Sequence, residues 1–234
     1  MKKTMPLLVL SLLFLLLFTT CTHENNNQQV ILNAVKDVDG NSYDAVRIGD
    51  QVWMKTNLRT KHFRDGSEIG CYEPTWRECP GYDKKTYGLC YSWSIVADER
   101  GLCPEGWHVP SDKEWDLLAE YVGGQEEYAY NGDPIKIAKS LASTIGWKKS
   151  FAGGGCPGYH RKTNNATGFS AIPIGRGVLC DSAGYYTEFW SSTPHGQTFD
   201  DGYALSIILS YNRENLLFLN ESSNIGLSVR CVKD

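Results

Sequence analysis

The sequence predicts an α+β domain in which strands at both ends of the folded region enclose two or three helices. Two β-rich runs flank a turn near its start, a helix with start and stop signals lies in the middle, and short strand-like runs follow Gly146. This order favours an α+β protein, because a parallel sheet needs strands and helices in alternation.

The first predicted element is a hairpin around Asp39-Gly40-Asn41. These turn-forming residues separate QQVILNAV from SYDAVRI, two β-rich runs with partial alternation. The acidic stretch DVDGNSYD also resembles a calcium loop, but Ser42 stands where an EF-hand needs Gly and Ile48 where it needs Glu. We therefore expect a hairpin here and no metal site.

The clearest helix is predicted by SDKEWDLLAEYVGG. Ser111 and Glu114 form a capping-box pattern, and Gly123-Gly124 ends the helix. The apolar residues of one helical face are Trp115, Leu118, Ala119 and Val122.

Shorter elements surround this helix. Strands are expected near 43–48 and 51–55, with IGDQ as the turn between them, and a first helix at about 88–99. The segment DPIKIAKSLAS predicts a further helix, with Asp133 as its cap and Pro134 at its first position.

After Gly146 the pattern changes to short strands with long connections. The strand-like segments are GFSAIPIG, EFWSST, YALSIILSY, ENLLFL and GLSVRCVKD. Ser170 lies in the first of them, which does not complete the G-x-S-x-G of a nucleophile elbow, so we interpret Ser170 as a strand residue.

The N-terminal segment predicts export. Two lysines precede a run from Pro6 to Phe18 that is apolar except for Ser11, and small residues stand directly before Cys21. The junction resembles a bacterial lipobox, in which Cys21 is acylated; ordinary secretion with cleavage nearby is the alternative. We expect a signal peptide over 1–20, a lipidated Cys21 with a polar tether over 21–34, and one domain over 35–234, anchored to the outer membrane.

Charge and aromatic content narrow the possible partners. Without Lys2 and Lys3 the formal charge changes from 23 − 27 = −4 to 21 − 27 = −6, and no basic cluster stands out. Nucleic acid is therefore not expected as a partner. The 7 Trp and 13 Tyr are typical of exported sugar-binding proteins, but such residues also form cores and hairpins.

Seven cysteines remain when Cys21 is set aside, which in an exported chain indicates up to three disulfides. No C-x-x-C motif occurs and the 5 His are scattered, so no metal or cofactor is expected. The related stretches ECPGYD and GCPGYH indicate Cys-stapled loops. Two disulfide pairings are equally compatible with the sequence: one joins Cys79 to Cys156, and the other joins Cys71 to Cys79 and Cys156 to Cys180.

Five separated motifs resemble those of the Fibrobacter succinogenes major paralogous domain, over roughly 35–234. They are DVDGNSYDAVRIGDQVWMKTNLRT, LCPEGWHVPSDKEWDLLAEYVGG, NATGFSAIPIGRG, EFWSST and GLSVRCVKD. This resemblance implies an exported protein or lipoprotein of the Bacteroidetes or Fibrobacteres. It also implies a C-type lectin-like fold, similar to that of formylglycine-generating enzymes, with helices on a twisted, mainly antiparallel sheet and the chain ends together. The insert at 70–86 and Cys90 depart from the family pattern.

We also predict a disulfide between Cys103 and Cys231. The segment LCPEGWHVP leads into the main helix, and SVRCVKD is the last predicted strand. The bond would close a loop of about 128 residues, which contributes about 4 to 5 kcal/mol by the chain-entropy estimate.

No catalytic residue is expected. His108 lies between an aromatic residue and a helix cap, which favours a hydrogen-bonded structural histidine. The pairs Glu126-Glu127 and Asp200-Asp201 are interpreted as solvated loop charges. The reactive cysteine pair of a formylglycine-generating enzyme and the calcium loops of sugar-binding lectins are both missing.

A surface binding or adhesion module for a glycan or protein ligand is therefore the predicted function, because loops on such a scaffold carry recognition. An enzyme acting on polysaccharide or envelope material and a structural envelope component are the alternatives. The candidate ligand-binding residues are the loop aromatics Trp76, Tyr82, Tyr159, His160, Tyr185 and Tyr186, although such rings can also pack their own loops. Ser182, in Asp-Ser-Ala, is a candidate O-glycosylation site.

Replacing Cys21 with Ser should release the protein from membranes, because the acyl chains of a lipoprotein are what would hold it there. Fractionation of cells that express the wild type and Cys21→Ser measures this. A variant that stays in the membrane fraction as an uncleaved precursor would show that the apolar run is a plain membrane anchor.

Overall fold

The computed structural model describes residues 29–69, 83–176, 182–194 and 202–234. The predicted signal peptide, the lipidation site Cys21, and the candidate residues Trp76 and Tyr82 lie outside these ranges. Within them, no helix combines the length and the hydropathy that a membrane crossing requires.

The first sheet contains five antiparallel strands in the order β1-β2-β3-β10-β5. The last strand lies between β3 and β5, so the final segment enters the sheet that the N-terminal strands begin. β1 starts before the domain boundary predicted at residue 35. The strands are β1 (Val30–Lys36), β2 (Ser42–Ile48), β3 (Gln51–Met54), β5 (Trp107–His108) and β10 (Val232–Lys233).

The second sheet also has five strands, in the order β4-β9-β6-β7-β8. Its pairs are antiparallel except for β6 and β9, where Phe189 lies opposite Ser228 in parallel. The fold is therefore mixed, with mainly antiparallel sheets and few helices. The strands are β4 (Cys90–Tyr91), β6 (Tyr186–Pro194), β7 (Tyr203–Ser210), β8 (Leu217–Ser222) and β9 (Leu227–Ser228).

The predicted hairpin around Asp39-Gly40-Asn41 is confirmed as β1 and β2. The carboxylates of its acidic stretch accept hydrogen bonds from the protein. Asp37 accepts from the Tyr43 hydroxyl at 2.6 Å and from the Asn41 backbone at 2.8 Å, and Asp39 accepts from the Lys61 backbone at 2.5 Å. These acidic residues therefore order the turn and the segment that packs beside it.

The main helix is confirmed as α3 (Asp112–Gly124), with the predicted capping box. The Ser111 hydroxyl accepts from the Glu114 backbone at 3.4 Å, and the Glu114 carboxylate accepts from the Ser111 backbone at 2.8 Å. The helix predicted over 88–99 is wrong in extent, because only α2 (Trp93–Val96) is helical there. The residues before it form β4, where pairing with β9 replaces helical hydrogen bonds.

The helix predicted from Asp133 is also shorter than expected. Only α4 (Ala138–Leu141) is helical, because the Ala138 backbone N–H donates to the Glu214 carbonyl at 2.9 Å and leaves the i−4 carbonyl unused. A further short helix, α1 (Lys84–Tyr87), precedes β4. Ser170 is not in a strand: its φ is +61°, and its hydroxyl accepts from the Asn165 amide at 2.8 Å.

Aromatic side chains fill the core. Trp53 packs on Trp115 with ring centroids 4.8 Å apart, and Trp115 packs on Phe189 at 5.6 Å. Six of the 7 tryptophans are buried, so most of the tryptophan side chains stabilise the fold and are not available to a ligand. The six are Trp53, Trp93, Trp107, Trp115, Trp147 and Trp190.

The predicted disulfide between Cys103 and Cys231 is confirmed. The two Cα atoms are 6.1 Å apart and 128 positions apart in sequence, so the bond joins the segment before β5 to the segment before β10. Cys156 carries a buried free thiol, so neither pairing considered for it is present. Cys71, Cys79 and Cys180 lie outside the described residues.

His108 has the structural role that its position predicts. Its Nε2 lies 2.6 Å from a Glu114 carboxylate oxygen, and its Nδ1 lies 2.6 Å from one of Asp234. Carboxylates only accept hydrogen bonds, so this geometry favours an imidazolium that donates from both nitrogens. Partial burial opposes this charge, but the hydrogen bonds to Asp234 and Glu114 outweigh it and raise the pKa of His108.

Because the pKa of His108 is raised, its contribution to the free energy of unfolding should be lost as the pH rises through this pKa. The stabilising contribution is complete below the unfolded pKa of about 6.5 and is lost as the pH rises through the higher folded value. Melting temperatures of the wild type and His108→Gln, measured across this range, should converge as the pH rises.

His160→Gln is the matched control, since His160 is exposed and forms no ion pair within the described residues. A melting-temperature difference between His108→Gln and wild type that does not change with pH would contradict the imidazolium assignment.

Candidate functional site

An open groove lies along the loop that follows α4, between two of its segments. It encloses about 620 Å³, and we call it the loop groove. Its lining residues are Lys149, Ser150, Phe151, Gly158, Tyr159, His160, Arg161, Lys162 and Thr163.

The Cys-Pro-Gly-Tyr sequence forms the turn at the base of the groove. The Tyr159 N–H donates to the Cys156 carbonyl at 3.0 Å, and proline at the second position suits such a turn. The Gly158 N–H donates to the Tyr211 carbonyl at 2.8 Å, and a Cβ at Gly158 would lie 2.4 Å from the Lys148 carbonyl oxygen. No side chain fits there, so glycine is what allows the turn to lie against its neighbours.

The glycine run before this turn admits two side chains from other segments. A Cβ on Gly154 would lie 1.9 Å from the Tyr130 hydroxyl oxygen, so a side chain at Gly154 would collide with Tyr130. The Gly155 N–H donates to the Glu214 carboxylate at 2.9 Å, and the Lys136 ammonium lies 3.3 Å from the same carboxylate. These contacts with Tyr130 and Glu214 fix the position of the glycine run.

A partly buried lysine ties the loop to α4. The Lys139 ammonium donates to the Tyr159 carbonyl and, at 3.0 Å, to the Asn164 side-chain oxygen. Burial lowers the pKa of Lys139. Burial, followed by the nearby charge of Glu214, raises the pKa of the Cys156 thiol, so Cys156 packs as an uncharged group beneath the groove.

The groove surface combines aromatic rings with positive charge. Phe151 is 79% exposed, and the Lys149 ammonium lies 4.6 Å from its ring centroid. The Tyr159 and His160 rings meet edge to face at 4.3 Å. Arg161 and Lys162 add two exposed cations, and no carboxylate is among the lining residues. Such a surface can stack on a sugar and attract a negative group.

The structure brings together some of the predicted ligand residues and separates others. Tyr159 and His160 line the groove. Tyr185 is 42% exposed and packs on Tyr211 at 5.2 Å. Its loop borders the groove loop, because the Lys148 N–H donates to the Gly184 carbonyl at 2.8 Å.

Tyr186 belongs to a different environment. Its ring lies 6.0 Å from the guanidinium of Arg176, which pairs with the fully buried Glu188 at 3.0 Å. Burial raises the pKa of Glu188, although the Ser206 hydroxyl and Arg176 bind its carboxylate. Arg176 also pairs with Glu221 at 2.5 Å, so Tyr186 lies beside a partly exposed ion-pair cluster and not in the loop groove.

Ser182 is half-buried, and its hydroxyl accepts from the Arg176 backbone N–H at 3.3 Å. O-glycosylation of Ser182 stays a prediction. Among the described residues, no group of three or more His, Cys, Asp or Glu side chains could hold a metal ion.

Sequence reasoning missed Phe151 and the three cations of the groove. A usable signal was present, since the glycine-rich FAGGGCPGYH is preceded by KKS and followed by RK. The local sequence does not show that the two ends of this stretch lie on opposite sides of one groove.

Comparison with known families and structures gives one match. The family model described as Fibrobacter succinogenes major domain covers residues 46–233. The matched region runs from β2 to β10 and includes the loop groove, while β1 precedes it. No curated protein and no solved structure matches significantly.

Replacing Gly158 with Ala should destabilise the protein by about 1–3 kcal/mol, because the new methyl group would overlap two carbonyl oxygens and force the turn apart. Chemical denaturation measures this. Gly124→Ala is the control, since a Cβ there meets nothing within 4 Å. Equal stability of Gly158→Ala and wild type would show that the loop shifts to accommodate the methyl group without loss of stability.

Proposed function

The chain belongs to the Fibrobacter succinogenes major domain family, and we propose that it is a non-catalytic cell-envelope lipoprotein that binds glycans through the loop groove. One observation carries this proposal. The groove presents the exposed rings of Phe151 and His160 and the half-buried ring of Tyr159 beside three cations, whereas all the tryptophans of the described residues are buried.

The scaffold suits such a module. We propose that this mixed fold of helices and mainly antiparallel sheets is C-type lectin-like. It is supported by two mainly antiparallel sheets, a C-terminal strand that returns to the N-terminal sheet, and the disulfide that holds it there. In such an arrangement the sheets and α3 form a rigid base for the recognition loops.

The groove chemistry favours acidic glycans. An exposed ring such as Phe151 stacks on the apolar face of a sugar, and little side-chain entropy is lost because the ring has few rotatable bonds. Arg161 and Lys162 would pair with carboxylate or sulfate groups. Arg161 is already oriented, since its Nη1 donates to the Trp147 carbonyl at 2.5 Å.

The proposal includes export of the chain and lipidation at Cys21, which would anchor the domain to the outer membrane. The predicted polar tether would hold the groove away from the lipid surface. A protein ligand is the alternative occupant of the groove, and catalysis on polysaccharide and a purely structural role are the alternative functions. Binding and turnover on a glycan array distinguish them.

Binding of the mature domain to an array of acidic and neutral glycans tests the proposal. We expect capture of acidic glycans that survives EDTA, and Phe151→Ala should weaken it by about tenfold through the loss of stacking. Lys162→Gln should weaken binding of acidic glycans more than binding of neutral ones.

Tyr203→Ala is the matched control, because Tyr203 is also an exposed aromatic residue but lies in β7, outside the groove. Capture that Phe151→Ala leaves unchanged would exclude the groove. Release of new reducing ends from bound glycans would show an enzyme. Binding of a protein partner alone would favour the adhesion or structural alternatives.

A further inference from the structure

Two exposed aromatic rings each lie beside a lysine ammonium. The Lys149 ammonium is 4.6 Å from the ring centroid of Phe151, and the Lys148 ammonium is 5.8 Å from that of Tyr185. Phe151 is 79% exposed and Tyr185 is 42% exposed. In every other cation–ring contact of the described residues, the ring is buried or half-buried. Consecutive lysines thus form two surface pairs, which we call the Phe151 pair and the Tyr185 pair.

Main-chain hydrogen bonds join the Tyr185 pair to the loop groove. The Lys148 N–H donates to the Gly184 carbonyl at 2.8 Å, and the Tyr211 N–H donates to the Tyr185 carbonyl at 2.7 Å. The Tyr211 carbonyl in turn accepts from the N–H of Gly158, at the base of the groove, at 2.8 Å. The backbone therefore fixes the position of Tyr185 relative to the groove that contains the Phe151 pair.

The Tyr185 ring is ordered although it is exposed. It packs edge to face on the half-buried ring of Tyr211, with the centroids 5.2 Å apart. Gly184 has a φ of +90°, and a Cβ there would lie 3.1 Å from the Cγ of Lys148, so glycine lets the lysine stem lie against this loop. An exposed ring that is already held in place loses little conformational entropy when a ligand stacks on it.

Positive charge lies beside both rings. Arg161, a groove residue, donates to the carbonyl of Trp147, which directly precedes Lys148. Within the described residues, none of the ion pairs includes Lys148, Lys149 or Arg161. These three cations are therefore available to pair with the negative groups of a ligand.

We propose that this surface binds the interior of a linear acidic polysaccharide, with one sugar acid on the Phe151 pair and another on the Tyr185 pair. Each sugar would stack its apolar face on the ring and place its carboxylate beside the ammonium. A ligand that repeats a ring and a negative charge matches a surface that repeats a ring and a positive charge. This inference rests on the proposed glycan binding and adds a requirement for chain length.

Hexagalacturonate and D-galacturonate are the probes, because a single sugar cannot occupy both pairs. In NMR titrations of the mature protein, the hexamer should bind more than about tenfold tighter per sugar unit, since its second contact is intramolecular. Equal affinity per unit would overturn this inference and leave glycan binding in place. Binding of neither probe would overturn the proposed binding of acidic glycans and, with it, this inference.

Tyr185→Ala tests the second pair. It should lower hexagalacturonate affinity by about tenfold and change galacturonate affinity by less than about twofold. Tyr185→Phe keeps the ring and should bind both probes as the wild type does. Tyr203→Ala is the matched control, because Tyr203 is an exposed aromatic residue of β7 outside the groove. Unchanged hexamer affinity in Tyr185→Ala, or an equal loss for both probes, would overturn the role of Tyr185.

Hexaglutamate separates stacking from charge. It has the same number of side-chain carboxylates as hexagalacturonate but no sugar ring, so it should bind more weakly, and Tyr185→Ala should leave its affinity unchanged. Lys148→Gln should lower the affinity for both polyanions, because it removes the ammonium of the Tyr185 pair. Hexaglutamate that binds as tightly as hexagalacturonate would overturn the assignment to a polysaccharide.

Discussion

The guanidinium of Arg230 joins three parts of the chain that lie far apart in sequence. It donates to the carbonyl that ends β3 at Met54, to the side chain of Asn57, and to the carbonyl of Phe169. It also lies over the rings of Phe169 and Phe189, the second of which belongs to the other sheet. One buried cation therefore contacts the N-terminal sheet, a central loop and the second sheet.

The segment that follows Arg230 is held at two further points. The neighbouring Cys231 is bonded to Cys103, and Asp234 contacts the ring of His108, whose other nitrogen meets Glu114 at the start of α3. Covalent, ionic and hydrogen-bonded contacts thus anchor the final strand to the segment that leads into the main helix. The base of the fold is rigid for this reason, which leaves its loops free to differ in sequence without loss of the core.

Aromatic residues of this chain lie in two environments that differ in burial. Trp53 and Trp115 pack against each other in the core, whereas Phe151 projects from a loop that is fixed through its backbone and not through its ring. The hydrogen bonds of Lys139 and Glu214 to loop backbone groups order the groove, while the rings of Phe151 and His160 stay exposed. A loop ordered in this way loses little entropy on binding, which is the property that a recognition surface requires.

Local signals in the sequence were sufficient for the elements whose hydrogen bonds are local. The turn at Asp39-Gly40-Asn41 and the capping box of Ser111 involve residues close in sequence, and the disulfide to Cys231 followed from the order of two segments. Tertiary contacts decided the rest. The Ala138 N–H bonds to Glu214 and so shortens a helix, and the two flanks of the glycine-rich loop meet across a groove. Such long-range contacts have no local pattern, because the competing hydrogen bonds and the packing partners come from distant parts of the chain.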